Sequence, residues 1–343
     1  MDGVIELSEL QGAAQKAFPA DKLASPRDAA WQLVAQQGWL MVTLPEDQGG
    51  LGLGRDAALA IHFELGRVLS TAPLIPALLA LEAIAAAESL TDQAGWIERI
   101  CGGEYVPLNM LPGPVADQGG VLNGRLSGFF EADMAAHVLA GLPGRYLLIP
   151  TDAPGVTVSE CRMWDESRRM FDIELAGYRP DPALVVAEGE AAKALHDRIS
   201  PLAQLAVAAD SLGGANAALA MTVDFLKTRR QFDRPIAMFQ ALKHRCADLK
   251  TQIAAAEALL WQRAAQPEAS IADLGVTKVL ANDCYLKTTE EAIQLHGGIG
   301  LTEEHNCHLF MKRAMLNAQL AGNGDHWREA AGRQALAQFA LSY

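Results

Sequence analysis

The chain has 343 residues, half of them hydrophobic and a fifth charged, which allows two or three ordered domains and excludes a disordered chain. A formal net charge of −13 argues against a nucleic-acid-binding face, which needs basic residues gathered on one surface. The cysteines at 101, 161, 246, 284 and 307 form no CxxC pair and have no histidines at zinc-like spacing, so free thiols in a reducing compartment and no metal are expected.

The start, Met1-Asp2-Gly3-Val4-Ile5-Glu6, is acidic and lacks the basic region of a signal peptide, which points to a cytoplasmic chain. Residues 1–103 read as helical. Ser25-Pro26-Arg27-Asp28 predicts a helix start with serine as the cap and proline first, and the helix should stop near Gly38. Leu44-Pro45-Glu46-Asp47-Gln48-Gly49-Gly50-Leu51-Gly52 is a glycine-rich connection; no lysine follows at P-loop spacing, so it reads as a plain loop. Helical pattern resumes from Arg55 to about Ser89. Its most apolar stretch, Leu74 to Ala87, contains Pro76 and Glu82 and is too short for a bilayer.

Residues 104–187 change character, with frequent glycines and prolines and short apolar runs. Val138-Leu139-Ala140, Tyr146-Leu147-Leu148-Ile149 and Met170-Phe171-Asp172-Ile173-Glu174-Leu175 read as strands. Asn123-Gly124 and Pro154-Gly155 read as turns between strands. From residue 188 the chain is helical again. Ser200-Pro201 predicts a second capped start, with a long helix to about 229. Phe239, Leu242, Cys246, Leu249, Ile253, Ala256 and Leu260 then step by 3 and 4, a seam for antiparallel helix packing. Further helices are expected from Ile271 to Leu295, from near Thr302-Glu303-Glu304, and after a break at residues 321–324. The fold class is mainly α with a small β domain: an N-terminal helical domain over 1–103, a middle β domain over 104–187 and a C-terminal helical bundle over 188–343.

Two segments carry chemistry. Arg229-Arg230-Gln231-Phe232-Asp233-Arg234-Pro235-Ile236-Ala237-Met238-Phe239-Gln240 joins two long helices. Residues 224–250 hold seven Lys or Arg against three Asp, a local reversal of the chain's charge. Guanidinium forks suit a pyrophosphate, while a solvated helix end is the plainer reading. Gln294-Leu295-His296-Gly297-Gly298-Ile299-Gly300 is the second. Paired glycines let backbone approach a ligand, and a helix C-cap and turn is the plainer reading. His296 reads as a packed or capping histidine.

Together, about 65 residues apart on consecutive helices, these segments resemble the acyl-CoA dehydrogenase family, which shows R-x-Q-F-x-x-P-I-x-x-F-Q and then Q-x-x-G-G-x-G. The loop from Leu44 to Gly52 resembles the family's L-P-E-x-x-G-G-x-G. The resemblance implies the family's helix–β–helix fold and its FAD. It also implies the family's reaction, in which a carboxylate takes the α proton of an acyl-CoA thioester while the β hydrogen passes as hydride to flavin N5. It assigns Arg229, Gln240, Gln294, Gly297 and Gly298 to the adenosine-pyrophosphate end of FAD, across a subunit interface, with Phe232 packed nearby. An electron-transfer flavoprotein is among the partners it suggests.

The pattern departs from the family at the base. The glutamate of the family's Y-E-G-T-like turn corresponds to Ala321, and the other position used by some members falls near Ala203. A methyl group cannot accept a proton. Asp210 and Asp325 are the nearby carboxylates. The β domain lacks the family's G-S-D element at Pro112-Gly113-Pro114 to Gly120, and Gly128-Phe129-Phe130-Glu131 replaces its W-I-[ST] strand. Short, degenerate members that work as α2β2 heterotetramers on steroid side-chain CoA thioesters resemble this chain. Three expectations follow: a subunit whose base comes from a homologous partner chain, a self-sufficient homo-oligomer using a relocated carboxylate, or a scaffold without catalysis.

Overall fold

The computed structural model describes residues 7–111, 113–266 and 268–341; the acidic start at Met1 to Glu6 and Pro112 of the expected departure lie outside them. The N-terminal helices are α1 (Leu7–Ala17), α2 (Arg27–Gln36), α3 (Gly54–Arg67), α4 (Leu74–Ala85) and α5 (Gln93–Cys101). α2 begins one residue later than its sequence predicts. Pro26, at φ −53° and ψ 131°, is the cap rather than the first helical residue, and no side chain bonds the helix start. The Ser25 carbonyl instead accepts a hydrogen bond from Thr71 Oγ1 at 2.6 Å. α3 and α4 divide the stretch expected as one helical region, because residues 68–73 carry Pro73 and a left-handed Leu69. Every residue of α4 is buried, which explains its apolarity. Among the described residues no helix is long and apolar enough to cross a membrane.

The middle of the chain supplies β1 (Val115–Asp117), β2 (Leu122–Phe130), β3 (His137–Leu142), β4 (Arg145–Pro150), β5 (Val156–Cys161), β6 (Met170–Tyr178) and β7 (Val185–Glu188). They form an antiparallel sheet in the order β1-β2-β6-β5 and a second in the order β3-β4-β7. Asn123-Gly124 is not the turn its sequence suggests. It lies inside β2, where the register slips between Leu122 and Gly124. Gly124 has φ +139°, and a Cβ there would stand 2.2 Å from the Pro114 carbonyl. The glycine makes a bulge, the other common use of Gly in a strand.

The last part comprises α6 (Gly189–Thr228), a two-residue ribbon of β8 (Arg230–Gln231) and β9 (Arg234–Pro235), then α7 (Gln240–Ala264), α8 (Ile271–His296), α9 (Cys307–Gln319) and α10 (Gly324–Leu341). Two expected starts move. α6 begins at Gly189, with Pro201 inside it. An interior proline costs about 3 kcal/mol, but Ala192, Leu195 and Ile199 before it continue the buried face of Gln204 to Asp210 after it. Packing on both sides outweighs the lost hydrogen bond. α9 begins at Cys307 rather than near Thr302, because Thr302 is used in a turn: its N–H and its hydroxyl both donate to the Ile299 carbonyl.

Two compact units result. One contains the chain through Ala24, Leu59–Ser70 and everything from Gln204 onward; the other contains Ser25–Ala58 and Thr71–Ala203. In the first, α3 and α6 meet backbone to backbone. A Cβ on Gly213 would lie 1.9 Å from the Phe63 carbonyl, and one on Gly66 would lie 2.1 Å from that of Asp210. The seam of α7 buries Leu249, Ile253, Ala256 and Leu260 against α6 and α8, while Leu242 and Cys246 at its start are half-buried.

Candidate functional site

At the end of α6 the Arg229 N–H closes on the Phe225 carbonyl at 2.8 Å, and β8 and β9 pair as Arg230↔Pro235 and Gln231↔Arg234. The two residues between them, Phe232 and Asp233, both have positive φ, +52° and +60°. That is the backbone of a two-residue hairpin turn, normally given to Asn-Gly. Holding two non-glycine residues there costs about 1–2 kcal/mol each. The strain is partly offset by Arg230, whose guanidinium donates to the Asp233 carbonyl at 2.8 Å. The result is a tip that presents Phe232 at 83% exposure. Strain of this kind clusters where a ligand or partner is engaged. Phe239 backs the tip, edge-on to Phe232 at 5.9 Å and under the Arg234 guanidinium at 4.3 Å. Gln240 then opens α7 with no side chain capping it. Its free N–H groups make an electropositive helix start.

The second segment turns at the end of α8. Its three glycines differ in what demands them. Gly297 has φ +64°. A Cβ on Gly300 would stand 2.6 Å from the Ile293 carbonyl, so packing requires that glycine. Gly298 has no positive φ, and a Cβ there would meet nothing within 4 Å. Among the described residues nothing asks for glycine at 298. The open space over Gly297 and Gly298 is a cradle that side chains would fill.

The two segments reach the same end of the helices. Phe225, one turn before Arg229, stacks on His296, one residue before Gly297, with ring centroids 4.4 Å apart. Arg229, Gln240 and Gln294 are all exposed, and among the described residues none uses its side chain in a hydrogen bond or ion pair. Neighbouring cations are engaged: Lys227 with Asp224, Arg245 with Glu291 and Lys250 with Asn216. His296 is the packed histidine its sequence suggests, its Nδ1 donating to the Ala292 carbonyl at 2.7 Å. The residues fit a pyrophosphate-bearing cofactor: an unspent guanidinium, two unspent amides, open backbone and an uncapped helix start.

The turn at Ala321, where the resemblance expects the family's base, is held by several contacts. Ala321 has φ +53°, in the turn between α9 and α10. Trp327 Nε1 donates to its carbonyl at 2.8 Å. Gly322 lies against the same indole, where a Cβ would come within 2.4 Å of Nε1. Lys278, fully buried on α8, donates to the carbonyls of Ala318 at 3.1 Å and Gly322 at 2.7 Å. Sequence reasoning did not single out Lys278; a lysine inside an apolar helical face was its only signal.

Burial pushes the Lys278 ammonium down to about 8, with Asp283 pulling the other way. A neutral amine keeps two hydrogens for the two carbonyls, so deprotonation leaves the turn held. Unfolded, the group titrates near 10.5. Between those values the unfolded chain binds the extra proton, so stability rises with pH. The burial penalty is complete below about pH 8 and gone above 10.5. Urea unfolding from about pH 7.5 to 10.5 should therefore show wild type gaining roughly 1–3 kcal/mol relative to Lys278→Met. Parallel pH profiles for the two proteins would show that the lysine titrates normally.

The other carboxylates are placed differently. Asp210 is 1% exposed. Its Oδ1 faces Arg313 at 3.5 Å and its Oδ2 accepts from Asn317 at 2.7 Å. Ser211, Asn282 and the Ser70 carbonyl extend the network. Asp210 is thus a structural anion in the core. Asp325 stands in the first turn of α10 with its side chain 99% exposed, near Arg328 at 3.9 Å. Ala203 lies on α6, half-buried.

In the second unit, residues 128–131 turn inward. Phe129 and Phe130 are buried. Glu131, buried with φ +50°, accepts from Arg27 at 2.9 Å and from the Arg169 N–H at 2.8 Å. Burial pushes its carboxyl up against the pull of those donors. Asp133, on the same two arginines, is held below the usual carboxylate range by them despite its own burial. The side chains of this segment are spent within the unit.

Residues 8–104 match the acyl-CoA dehydrogenase N-terminal domain, and residues 202–336 match the acyl-CoA dehydrogenase C-terminal domain. Acyl-CoA dehydrogenase IpdE2 of Mycobacterium tuberculosis is 33% identical over 296 residues, covering 85% of this chain and 82% of its own. A variant of the Tcur3481-Tcur3483 steroid ACAD superposes with a TM-score of 0.84 at 27% identity, over 97% of this chain and 98% of that one. The ChsE4-ChsE5 complex of Mycobacterium tuberculosis has a chain with a TM-score of 0.81 at 23% identity, over 97% and 99%, which is a likeness of fold.

Proposed function

The chain belongs to the acyl-CoA dehydrogenase family, and from that premise we propose that it is a subunit of an FAD-dependent dehydrogenase that introduces a double bond between the α and β carbons of an acyl-CoA thioester. The observation that carries this is the set of unspent groups at one end of the helices: Arg229, Gln240, Gln294 and the open backbone of Gly297 and Gly298. Arg229 would pair with the pyrophosphate; Gln240 and Gln294 would hydrogen-bond the adenosine end, the two glycines would admit it against backbone, and Phe232 would cover it. When bound, the flavin supplies a hydride acceptor for the substrate's β carbon.

The chain's own groups bind and position; they do not abstract the proton. Both base positions carry alanine, Asp210 is committed to Arg313 in the core, and the Gly128 to Glu131 segment turns inward. This reading puts the base on a homologous partner subunit, as a glutamate, in a heterotetramer whose flavin this chain's exposed segments help to hold. The names of the two similar structures, a steroid ACAD and a two-protein ChsE4-ChsE5 complex, support a bulky steroid-derived acyl-CoA and a heteromeric assembly. An electron-transfer flavoprotein then takes the electrons onward.

The test is to add a steroid side-chain CoA thioester anaerobically to the purified chain and to its co-purified complex with a homologous subunit. The complex should bleach the flavin's visible absorption on the order of 10²–10⁴ times faster than the lone chain, the range a positioned general base contributes. Equal bleaching by the lone chain would overturn the partner reading and turn attention to Asp325. An absence of flavin in both preparations would indicate a scaffold.

A further inference from the structure

Between α8 and α9 the chain turns back on itself, and the turn gathers His296, His305 and Cys307. One ligand atom from each lies within 4.8 Å of the others. His296 and Cys307 are buried and His305 is half-buried. The Ala292 carbonyl can only accept, so His296 Nδ1 carries the ring proton and Nε2 is left with a bare lone pair. Among the described residues that Nε2 is buried without a hydrogen-bond partner, on a residue only 4% exposed. A buried acceptor left so costs about 1–3 kcal/mol. The packed-histidine reading explains the Nδ1 bond and the stacking, but not an unpartnered ring nitrogen on an imidazole whose centroid lies 4.1 Å from that of His305, in one cluster with the Cys307 thiol.

We propose that these three side chains form a binding site for a borderline-soft divalent cation of the zinc class. Two imidazole nitrogens and one thiolate suit Zn(II) and Co(II) rather than Mg(II) or Ca(II). His296 already has the support such a ligand needs, since its other ring nitrogen donates to a backbone carbonyl and fixes the tautomer. Phe225, with centroids 4.4 Å from His296 and 6.0 Å from His305, forms an apolar wall. His305 accepts the Cys307 N–H at 3.3 Å and Cys307 Sγ donates to the Gly300 carbonyl at 3.5 Å; these two long bonds are released on binding. Ligand atoms in a filled tetrahedral site stand roughly 3.5 Å apart, from metal bonds of about 2.0–2.3 Å. Filling the site asks for a contraction of about 1 Å. The thiol gives up its proton, so one proton is released per ion bound. Three protein ligands leave a fourth position for water. The ion would tie the end of α8 to the start of α9 across the Gly297–Leu301 turn. The linear spacing, with His296 nine residues before His305, is not that of a zinc motif, and only the fold brings the three together.

The experiment is a Co(II) titration of the metal-free full-length chain, read by absorption. Wild type should take up one equivalent with a thiolate-to-cobalt charge-transfer band in the near ultraviolet, and Zn(II) should displace it and raise the melting temperature. Cys307→Ala should lose the band, and His305→Ala, at a half-buried position that leaves the fold intact, should weaken binding by more than about tenfold. No charge-transfer band at one equivalent of wild type would overturn the site. So would an undiminished band in Cys307→Ala or undiminished affinity in His305→Ala, since either places the ion elsewhere on the chain.

Discussion

Asp210→Ala should lower the unfolding free energy by about 3–5 kcal/mol, the cost of breaking a buried ion pair by removing one of its two charges. Arg313 has no exposed surface and its charge cannot reach water. Asn317 would lose the shorter of its two acceptors, at 2.7 Å, and Ser211 and Asn282 are bonded into the same network. Asp210→Asn should also destabilise, because it removes the charge while keeping the shape. The double variant Asp210→Leu with Arg313→Met should recover stability relative to either single change, since it removes both charges together. Urea midpoints for the set decide the matter. A variant Asp210→Asn as stable as wild type but dead in dehydrogenation would instead make Asp210 a catalytic group.

Arg229→Ala should weaken flavin binding by roughly 10–150-fold, the loss of one charge-assisted contact worth about 1.5–3 kcal/mol. It should leave the melting temperature unchanged, because the side chain is exposed and makes no bond within the described chain. Gly298→Ala is the companion test. Its φ is ordinary and its added methyl meets nothing, so the fold should accept it with no loss of stability. A cofactor lying on that backbone should not. Equilibrium dialysis of the assembled complex against FAD, paired with thermal melts, separates the two effects. Wild-type flavin affinity in both variants would remove these residues from the cofactor site.

Much of the fold was legible because periodicity reports which face is buried. Of the seam expected from Phe239 to Leu260, the part from Leu249 on is buried; the helix expected from Ile271 to Leu295 runs one residue further, to His296; and the strands at 138–140, 146–149 and 170–175 appear where their patterns put them. The weaker readings failed where local chemistry had two uses. Gly124 serves as readily in a bulge as in a turn, and Pro201 sits inside a helix whose buried face runs through it. Ser25 and Thr302 bear the marks of helix starts, but their backbone groups are used by Thr71 and Ile299.

The sequence alone determined the family, through Arg229 to Gln240 and Gln294 to Gly300, and it put alanine at 321 and 203, the positions to which the resemblance assigns the base. Those are statements about which atoms exist, and no fold can alter them. Tertiary structure decided what the remaining groups are free to do. It placed Asp210 on Arg313, so that a candidate base became a core anion. It set Lys278 beneath the turn of Ala321. It showed Gly300 needed for packing and Gly298 not, a difference invisible in a run of like glycines. The physical reason is the same each time: burial and partners set whether a polar group is spent or available, and both arise from residues far away in the chain.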